Sequence, residues 1–405
     1  MWSRMRLDIC WRDLAFALFR CLFRQNRTRL QADVESGWTS ERHALACLSV
    51  RSGLDSLLTV LDFPVGSEMI VSAVTIADVP RIIEQHDLIP VPVDLDQTTG
   101  LPTPSAVEAA VTPRTRGLLI AQLFGHWSTL APLVEIAQRH ELLLIEDCAQ
   151  AFAGRDFEGT PGADVSMFSF GTIKTSTALG GGVLLVRDAG LYDRLRVQQE
   201  TLPLQSARTH LLRIVKCALL KGLSGRLLYG CFVRGCALAG GDHELLLAGS
   251  VRGFPGNDLC ERIRRRPCTA LLALLKRRLS RFDVRRLGRR AELGSQLSDL
   301  LDVRVECPGL CAERRTFWVF PVVLLIEPEL VIAALRTANV DVSQGHSLVV
   351  VKPPDDRDVG GLFNARQLLL WGVFVPVYVE MTSSVLEGMA ESVNVLIREG
   401  IEGDV

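Results

Sequence analysis

From residue 68 to residue 145, short apolar runs alternate with segments whose apolar residues recur at helical spacing. Glu68-Met69-Ile70-Val71-Ser72, Leu88 to Val93, Gly117 to Ala121 and Leu142 to Ile145 read as buried strands. Asp78 to Gln85, Pro104 to Val111 and Leu130 to His140 fall between them and read as helices. Strand and helix in turn imply a parallel sheet covered on both faces, hence an α/β domain. Open parallel sheets collect ligands at the carboxyl ends of their strands. Asp147, which follows the Leu142 to Ile145 strand, stands where a bound group would sit. A lone carboxylate there would serve equally as a cap for a neighbouring backbone N–H.

Asp147 is not alone. From Val165 to Val186 the chain is almost uncharged except for Lys174, in Phe168-Ser169-Phe170-Gly171-Thr172-Ile173-Lys174, with the triple glycine Gly180 to Gly182 after it. An amine in so apolar a stretch loses solvation, which lowers its pKa and lets it condense with an aldehyde near neutral pH. The glycines allow close backbone packing beneath a bound group, or simply a tight turn.

These pieces resemble the DegT/StrS group of fold-type-I pyridoxal phosphate (PLP) enzymes, mostly nucleotide-sugar aminotransferases, over residues 40 to 400. The likeness rests on Glu146-Asp147-Cys148-Ala149-Gln150, on Phe168 to Lys174, on Gly180-Gly181-Gly182, and on the Phe124-Gly125 step ahead of the Leu130 to His140 segment. The resemblance implies a large α/β domain with a mostly parallel central sheet and a smaller C-terminal α+β domain. It also implies that Lys174 forms the internal aldimine and shuttles a proton, and that Asp147 keeps the ring nitrogen protonated so that the ring stays an electron sink. By the same likeness Gln150 touches the ring and Ser169 donates to the phosphate. Gly53 and Leu54 match a helix-start turn whose N–H groups and dipole favour a phosphate dianion, while Ser52 would act as an ordinary N-cap.

The chain also departs from the family pattern. Leu54 stands where a threonine is usual, and Ile76 where an aromatic ring usually stacks on the pyridine. Arg264-Arg265-Arg266 aligns with an asparagine-x-arginine that reaches the phosphate from a neighbouring subunit, so that Arg264 would bring a cation there; a solvated basic helix start explains the same residues. His346 falls where family members line the substrate mouth.

Length and composition fit this picture. At 405 residues, 48% hydrophobic and 22% charged, the chain has room for two domains around one large core and is not disordered. A net charge of −1 gives no overall pull toward nucleic acid, and none is expected as a partner. Eleven cysteines without paired spacing suit a reducing cytoplasm; Cys307 and Cys311 lack companions, and no metal is expected. In residues 1 to 30, Arg12, Asp13 and Arg20 interrupt the apolar run, which speaks against a signal peptide and for a basic amphipathic helix on the protein body or on an anionic membrane.

Residues 201 to 252 are the least family-like stretch. From Thr201 to Gly241 there is no acidic residue, while Arg208, Arg213, Lys216, Lys221, Arg226 and Arg234 alternate with leucines and other apolar residues. They read as one or two basic amphipathic helices that cover the active site, a partner subunit or a membrane surface. Four parts are expected: an arm (1–40), a PLP-binding large domain (41–200), the basic insertion (201–252) and a small domain (253–405). In the last, Ala270 to Leu279, Phe282 to Leu301, Pro328 to Ala338 and Thr382 to Ile397 read as helices, and Phe317 to Ile326 and Leu370 to Pro376 as strands.

The resemblance implies a homodimeric, cytoplasmic aminotransferase that passes an amino group from a small amino-acid donor, glutamate first, to a keto-sugar or related keto acceptor. A PLP lyase or dehydratase, and a non-catalytic regulator or membrane scaffold, are the alternatives. Family dehydratases replace the lysine, and the scaffold reading predicts loss of Lys174 or Asp147; both residues are intact.

Overall fold

The computed structural model describes residues 1–402 apart from 5, 24, 39–41, 239–257, 346 and 357–359. Its first half supplies β1 (His43–Cys47), β2 (Glu68–Ser72), β3 (Val74–Ile76), β4 (Ile89–Val93), β5 (Thr115–Ala121), β6 (His126–Trp127), β7 (Leu143–Asp147), β8 (Val165–Ser169) and β9 (Gly182–Val186). Seven of these form one sheet in the order β1-β9-β8-β7-β5-β2-β4.

The pairs β2/β4, β2/β5, β5/β7 and β7/β8 are parallel, as the alternation of strand and helix requires. Helices Asp78–Glu84, Pro104–Ala110 and Ala131–Arg139 make the crossovers. The sheet is not parallel throughout, because β9 runs against both β8 and β1. Residues 170–181, which join β8 to β9 and carry Lys174, contain no helix. Here the chain doubles back, and β9 lies antiparallel beside β8.

Side chains alternate across the sheet with the period of two that a strand imposes. Met69, Val71, Leu119, Ile145 and Met167 meet Leu54, Leu57 and Leu58 of the helix Val50–Leu61 on one face. Ile70, Leu118, Ile120 and Leu144 meet Leu133, Val134 and Ile136 of the helix Ala131–Arg139 on the other. Each such side chain contributes about 1.5–3 kcal/mol on leaving water, which is what sets the register against a one-residue slip.

The C-terminal part adds β10 (Arg314–Arg315), β11 (Phe320–Val323), β12 (Leu348–Val350) and β13 (Gly372–Val375), with helices Val284–Leu300, Pro328–Thr337, Phe363–Trp371 and Ser383–Glu402. β11 and β13 pair antiparallel, and Phe320, Val322, Val373 and Val375 join Leu386, Met389 and Val393 in a separate core. The strand expected at Leu370 to Pro376 begins two residues later, because Leu370 and Trp371 complete the Phe363–Trp371 helix. Gly372 ends it: a Cβ there would lie 2.0 Å from the Leu368 carbonyl oxygen. The expected Phe317 to Ile326 strand narrows to β11.

The N-terminal arm packs on the protein body. Leu14 and Ala17 of the helix Trp11–Leu22 share a core with Ile214 and Cys217 of the helix Ala207–Leu223 and with Leu271 and Leu275 of the helix Thr269–Ser280. Asp13 accepts from Arg277 Nε at 2.7 Å and from Arg278 Nη1 at 2.8 Å, and these bonds fix the helix axially. Among its described residues the insertion contains the helices Ala207–Leu223 and Arg226–Leu238. Residues 239–257, the rest of the span expected at a membrane or partner, lie outside the described residues. Among the described residues no helix is long and apolar enough to cross a membrane.

Candidate active site

Asp147 is the last residue of β7 and Ser169 the last of β8, so both side chains stand at the carboxyl edge of the parallel strands. They open into a cavity of about 750 Å³ that Lys174 also lines. Asp147 Oδ1 accepts from the Ala149 N–H at 2.9 Å, so the carboxylate does cap a backbone group, at the edge of the cavity rather than away from it. Burial raises its carboxyl pKa, against the pull of that N–H and of the positive charges on Lys174 and Arg51. Burial also brings the Lys174 amine down to about 8, although Asp147 pulls the other way. Each group thus feels the other across the cavity.

Three further contacts position the lysine segment. Lys174 Nζ lies 4.1 Å from the centroid of the Trp318 ring, whose Nε1 donates to the Ile173 carbonyl at 2.9 Å. The aromatic face favours the protonated amine and partly offsets its desolvation, by about 0.5–2 kcal/mol. Trp318 reaches this place because Gly125 lies beneath its backbone: a Cβ on Gly125, whose φ is +84°, would sit 2.4 Å from the Trp318 nitrogen. That contact gives the Phe124-Gly125 step its reason. Phe124 N donates to Gln150 Oε1 at 2.8 Å, which orients Gln150 at the cavity wall.

Glu146 shows how rigidly the strand end is held. It is fully buried and accepts from Gln122 Nε2, Trp127 Nε1, the Thr160 N–H, Thr160 Oγ1 and Ser166 Oγ, at 2.7 to 3.1 Å. A buried carboxylate so fully bonded turns a costly charge into an anchor one residue from Asp147.

The other expected residues divide. Leu54, Ile76, Gln150 and Ser169 line the cavity with Lys174 and Asp147. Ile76 faces it from β3, paired with Leu348 of β12. Ser169 Oγ accepts from the Gly171 N–H at 3.4 Å. Gly53 and Arg264 are not among the described lining residues. Gly53 faces β9, where a Cβ would come within 2.3 Å of Leu184 Cδ1 and force that side chain to shift. Arg264 is held by Asp55, with Nε–Oδ2 at 3.0 Å and Nη2–Oδ1 at 2.9 Å, and His86 Nε2 lies 3.1 Å from the same carboxylate. His346 lies outside the described residues.

The helix Val50–Leu61 starts three residues before the turn at Gly53. Ser49, not Ser52, is its N-cap and accepts from the Ser52 N–H at 3.1 Å. Ser49, Val50 and Arg51 consequently line the cavity, so the positive end of the helix dipole faces it. Arg213, from the insertion, adds a second guanidinium; its Nη1 donates to the Leu179 carbonyl at 3.3 Å beside Gly180. The positive charge of Arg51 bears on Arg213, and both line the cavity. Arg290 and Trp318 also line the cavity, and no sequence pattern singled them out. Both arrive through tertiary packing.

These residues fit pyridoxal phosphate. An amine with a lowered pKa suits the aldehyde, a desolvated carboxylate suits the ring nitrogen, and a helix start with Ser169, Arg51 and Arg213 suits the phosphate dianion. Among the described residues no group of three or more histidine, cysteine or acidic side chains is placed to hold a metal.

Residues 32–208 match the model of the DegT/DnrJ/EryC1/StrS aminotransferase family. Over 154 residues the chain is 37% identical to L-glutamine:2-deoxy-scyllo-inosose aminotransferase of Micromonospora echinospora, covering 36% of each protein. It is 32% identical over 166 residues to GDP-perosamine synthase of Escherichia coli O157:H7, covering 40% of this chain and 45% of that one. The chain thus spans under half the length of these curated relatives. The fold extends further: the aminotransferase TlmJ from Streptoalloteichus hindustanus superposes with a TM-score of 0.70 at 17% identity, over 98% of this chain and 99% of that one. An E. coli GDP-4-keto-6-deoxy-D-mannose-3-dehydratase with bound hydrated PLP also superposes at 0.70, with 15% identity, over 96% and 98%.

Proposed function

From the match of residues 32–208 to the DegT/DnrJ/EryC1/StrS aminotransferase family, we propose that this protein is a PLP-dependent aminotransferase. It would move an amino group from an amino-acid donor, glutamate or its amide, to a keto-sugar or related cyclic keto acceptor. One observation carries the reading: Lys174 and Asp147 line one cavity, and each shifts the ionisation of the other.

When bound, the cofactor supplies an electron sink for the carbon that loses its proton. The chain supplies the rest. Lys174 Nζ, with a pKa of about 8, is neutral often enough near pH 7 to act as nucleophile and then to take the proton from the donor α-carbon. Asp147, anchored by Ala149 and by its bonded neighbour Glu146, would hold the ring nitrogen protonated when the cofactor is bound. Arg213, Ser169 and Arg51, the last also paired with Asp78, would hold the phosphate at the start of the Val50–Leu61 helix. Trp318 lays its ring against the lysine amine.

A dehydratase shares the fold, so fold alone does not choose between the two chemistries. Lys174 favours transamination, since it supplies the base that a lysine-free site lacks. The test is the absorbance spectrum of the PLP-loaded protein under a panel of amino acids, with mass analysis of products from candidate keto acceptors. A spectrum unchanged by every donor refutes the proposal.

The same reading takes the protein as a cytoplasmic homodimer with the four-part division 1–40, 41–200, 201–252 and 253–405, and leaves peripheral membrane contact to the insertion. Exposed Leu212, Leu219, Leu227 and Leu228 beside Lys216 and Arg226 support that contact. Sedimentation tests the dimer. Flotation with anionic vesicles, with and without residues 201–252, tests the membrane.

A further inference from the structure

Extending the peripheral contact read for the insertion, on which it rests, we propose that two helices form one surface that docks on an anionic phospholipid bilayer. They are the arm helix Trp11–Leu22 and the insertion helix Ala207–Leu223. Leu14 and Ala17 of the first share a core with Ile214 and Cys217 of the second. Lys221 Nζ lies 6.0 Å from the centroid of the Trp11 ring, so the start of one helix meets the end of the other. With their inner faces in a common core, their outer faces turn away from it together.

On the arm helix Trp11, Ala15, Phe19 and Leu22 are exposed, and their spacing places them on one stripe at 3.6 residues per turn. On the insertion helix the same spacing sets Arg208, Leu212, Val215, Lys216 and Leu219 on one exposed face. A single exposed leucine needs no explanation, whereas two apolar rows on neighbouring helices mark an interaction surface.

Charge decides what covers it. From Thr201 to Gly241 there is no acidic residue. The one carboxylate of the arm helix, Asp13, is buried and bonded to Arg277 and Arg278. A second copy seated here by a two-fold axis would set Arg208 and Lys216 against the same cations, since such an interface uses one patch twice. An anionic bilayer instead offers hydrocarbon to the apolar rows and phosphates to the cations beside them. No described helix is long and apolar enough to cross a membrane, so these two lie along its surface.

The surface adjoins the candidate active site. Cys10, directly before Trp11, lines the cavity, as do Lys221 and Arg213 of the insertion helix. The docked bilayer therefore lies behind one wall of that cavity.

The test floats the PLP-loaded full-length protein with phosphatidylcholine vesicles, with or without phosphatidylglycerol, and reads tryptophan quenching by brominated acyl chains in them. Wild type is expected to bind the anionic vesicles, to leave the neutral ones, and to be partly quenched. Trp11, 55% exposed, is the most exposed of the six tryptophans, so Trp11→Phe should remove most of the quenching while binding persists. Arg208→Gln with Lys216→Gln should weaken partitioning about thirtyfold, at about fivefold for each cation near an anionic surface. Phe19→Ala with Leu22→Ala should weaken it on the order of tenfold. None of these residues lines the cavity, so the response of the cofactor spectrum to amino donors without vesicles should match wild type in every variant.

Quenching of Trp11→Phe equal to wild type, or undiminished binding by the Phe19→Ala, Leu22→Ala pair, overturns the shared surface and leaves the insertion's own contact standing. Equal binding to neutral and anionic vesicles overturns the charge argument. Binding to neither refutes this proposal and the insertion's membrane contact together. A mass that doubles with concentration and falls back in Leu212→Glu assigns the surface to a second copy and overturns the proposal.

Discussion

The ionisation of Lys174 can be measured in the cofactor-free protein, and Asp147→Asn is the perturbation that probes it. An amine with a pKa of about 8 is neutral in about one molecule in ten at pH 7, against about one in three thousand at the ordinary lysine value of 10.5. Burial therefore multiplies the reactive form by about three hundred. Asp147 opposes this, since a nearby carboxylate favours the charged amine by about 1–3 pKa units. Replacing it with asparagine keeps the shape and removes the charge, so the amine should titrate near or below pH 7 and be neutral in about half the molecules or more there. The assay is pulsed acetylation from pH 6 to 10, with the extent at Lys174 read by mass spectrometry. A wild-type midpoint near the ordinary lysine value refutes the burial argument. An unchanged or higher midpoint in Asp147→Asn refutes the shared cavity.

Further outcomes follow from other contacts. Because the folded-state pKa of Lys174 is lowered to about 8, the unfolded chain holds more protons between there and 10.5, and stability rises with pH across that window. Lys174→Met should thus stabilise the cofactor-free protein at pH 7 by up to about 3 kcal/mol in urea unfolding, the gain vanishing above about pH 10. Asp55→Ala strands Arg264 and His86 and should cost about 1–3 kcal/mol at pH 7. The Asp55 carboxyl pKa is lowered, chiefly by its hydrogen bonds to His86 and Arg264 against burial, so this difference should shrink as pH falls below 3.8. Gly125→Ala places a Cβ against the Trp318 backbone at positive φ; a loss of about 1–3 kcal/mol and altered tryptophan fluorescence are expected. Glu146→Gln turns an acceptor of five bonds into a group with its own donors, and should cost about 3 kcal/mol or more by thermal melt.

What could be read in advance follows physical range. The strands from Glu68 to Asp147 were legible because a fully buried parallel strand must be a short apolar run, and the helices between them because their spacing is local. Asp147 was legible because it follows an apolar strand, and Lys174 because its stretch is almost uncharged, whereas Ser169 came only through the family resemblance. The reversal at β9 was not, since an apolar strand reads the same in either direction. Nor was the pairing of Arg264 with Asp55, two residues 209 positions apart, or the arrival of Arg213 and Trp318, which depends on how whole helices and turns dock. Ser52 was misread as a cap because Ser49, at the same helix start, satisfies the same preference.

The helix Ala207–Leu223 points Arg213 inward while Leu212, 61% exposed, and Leu219, 71% exposed, point out. A helix with its side chains is about 10 Å thick. Whatever leans on those leucines, lipid or protein, rests one rod's width from the reactants, and any roll it imposes arrives inside as the displacement of a guanidinium.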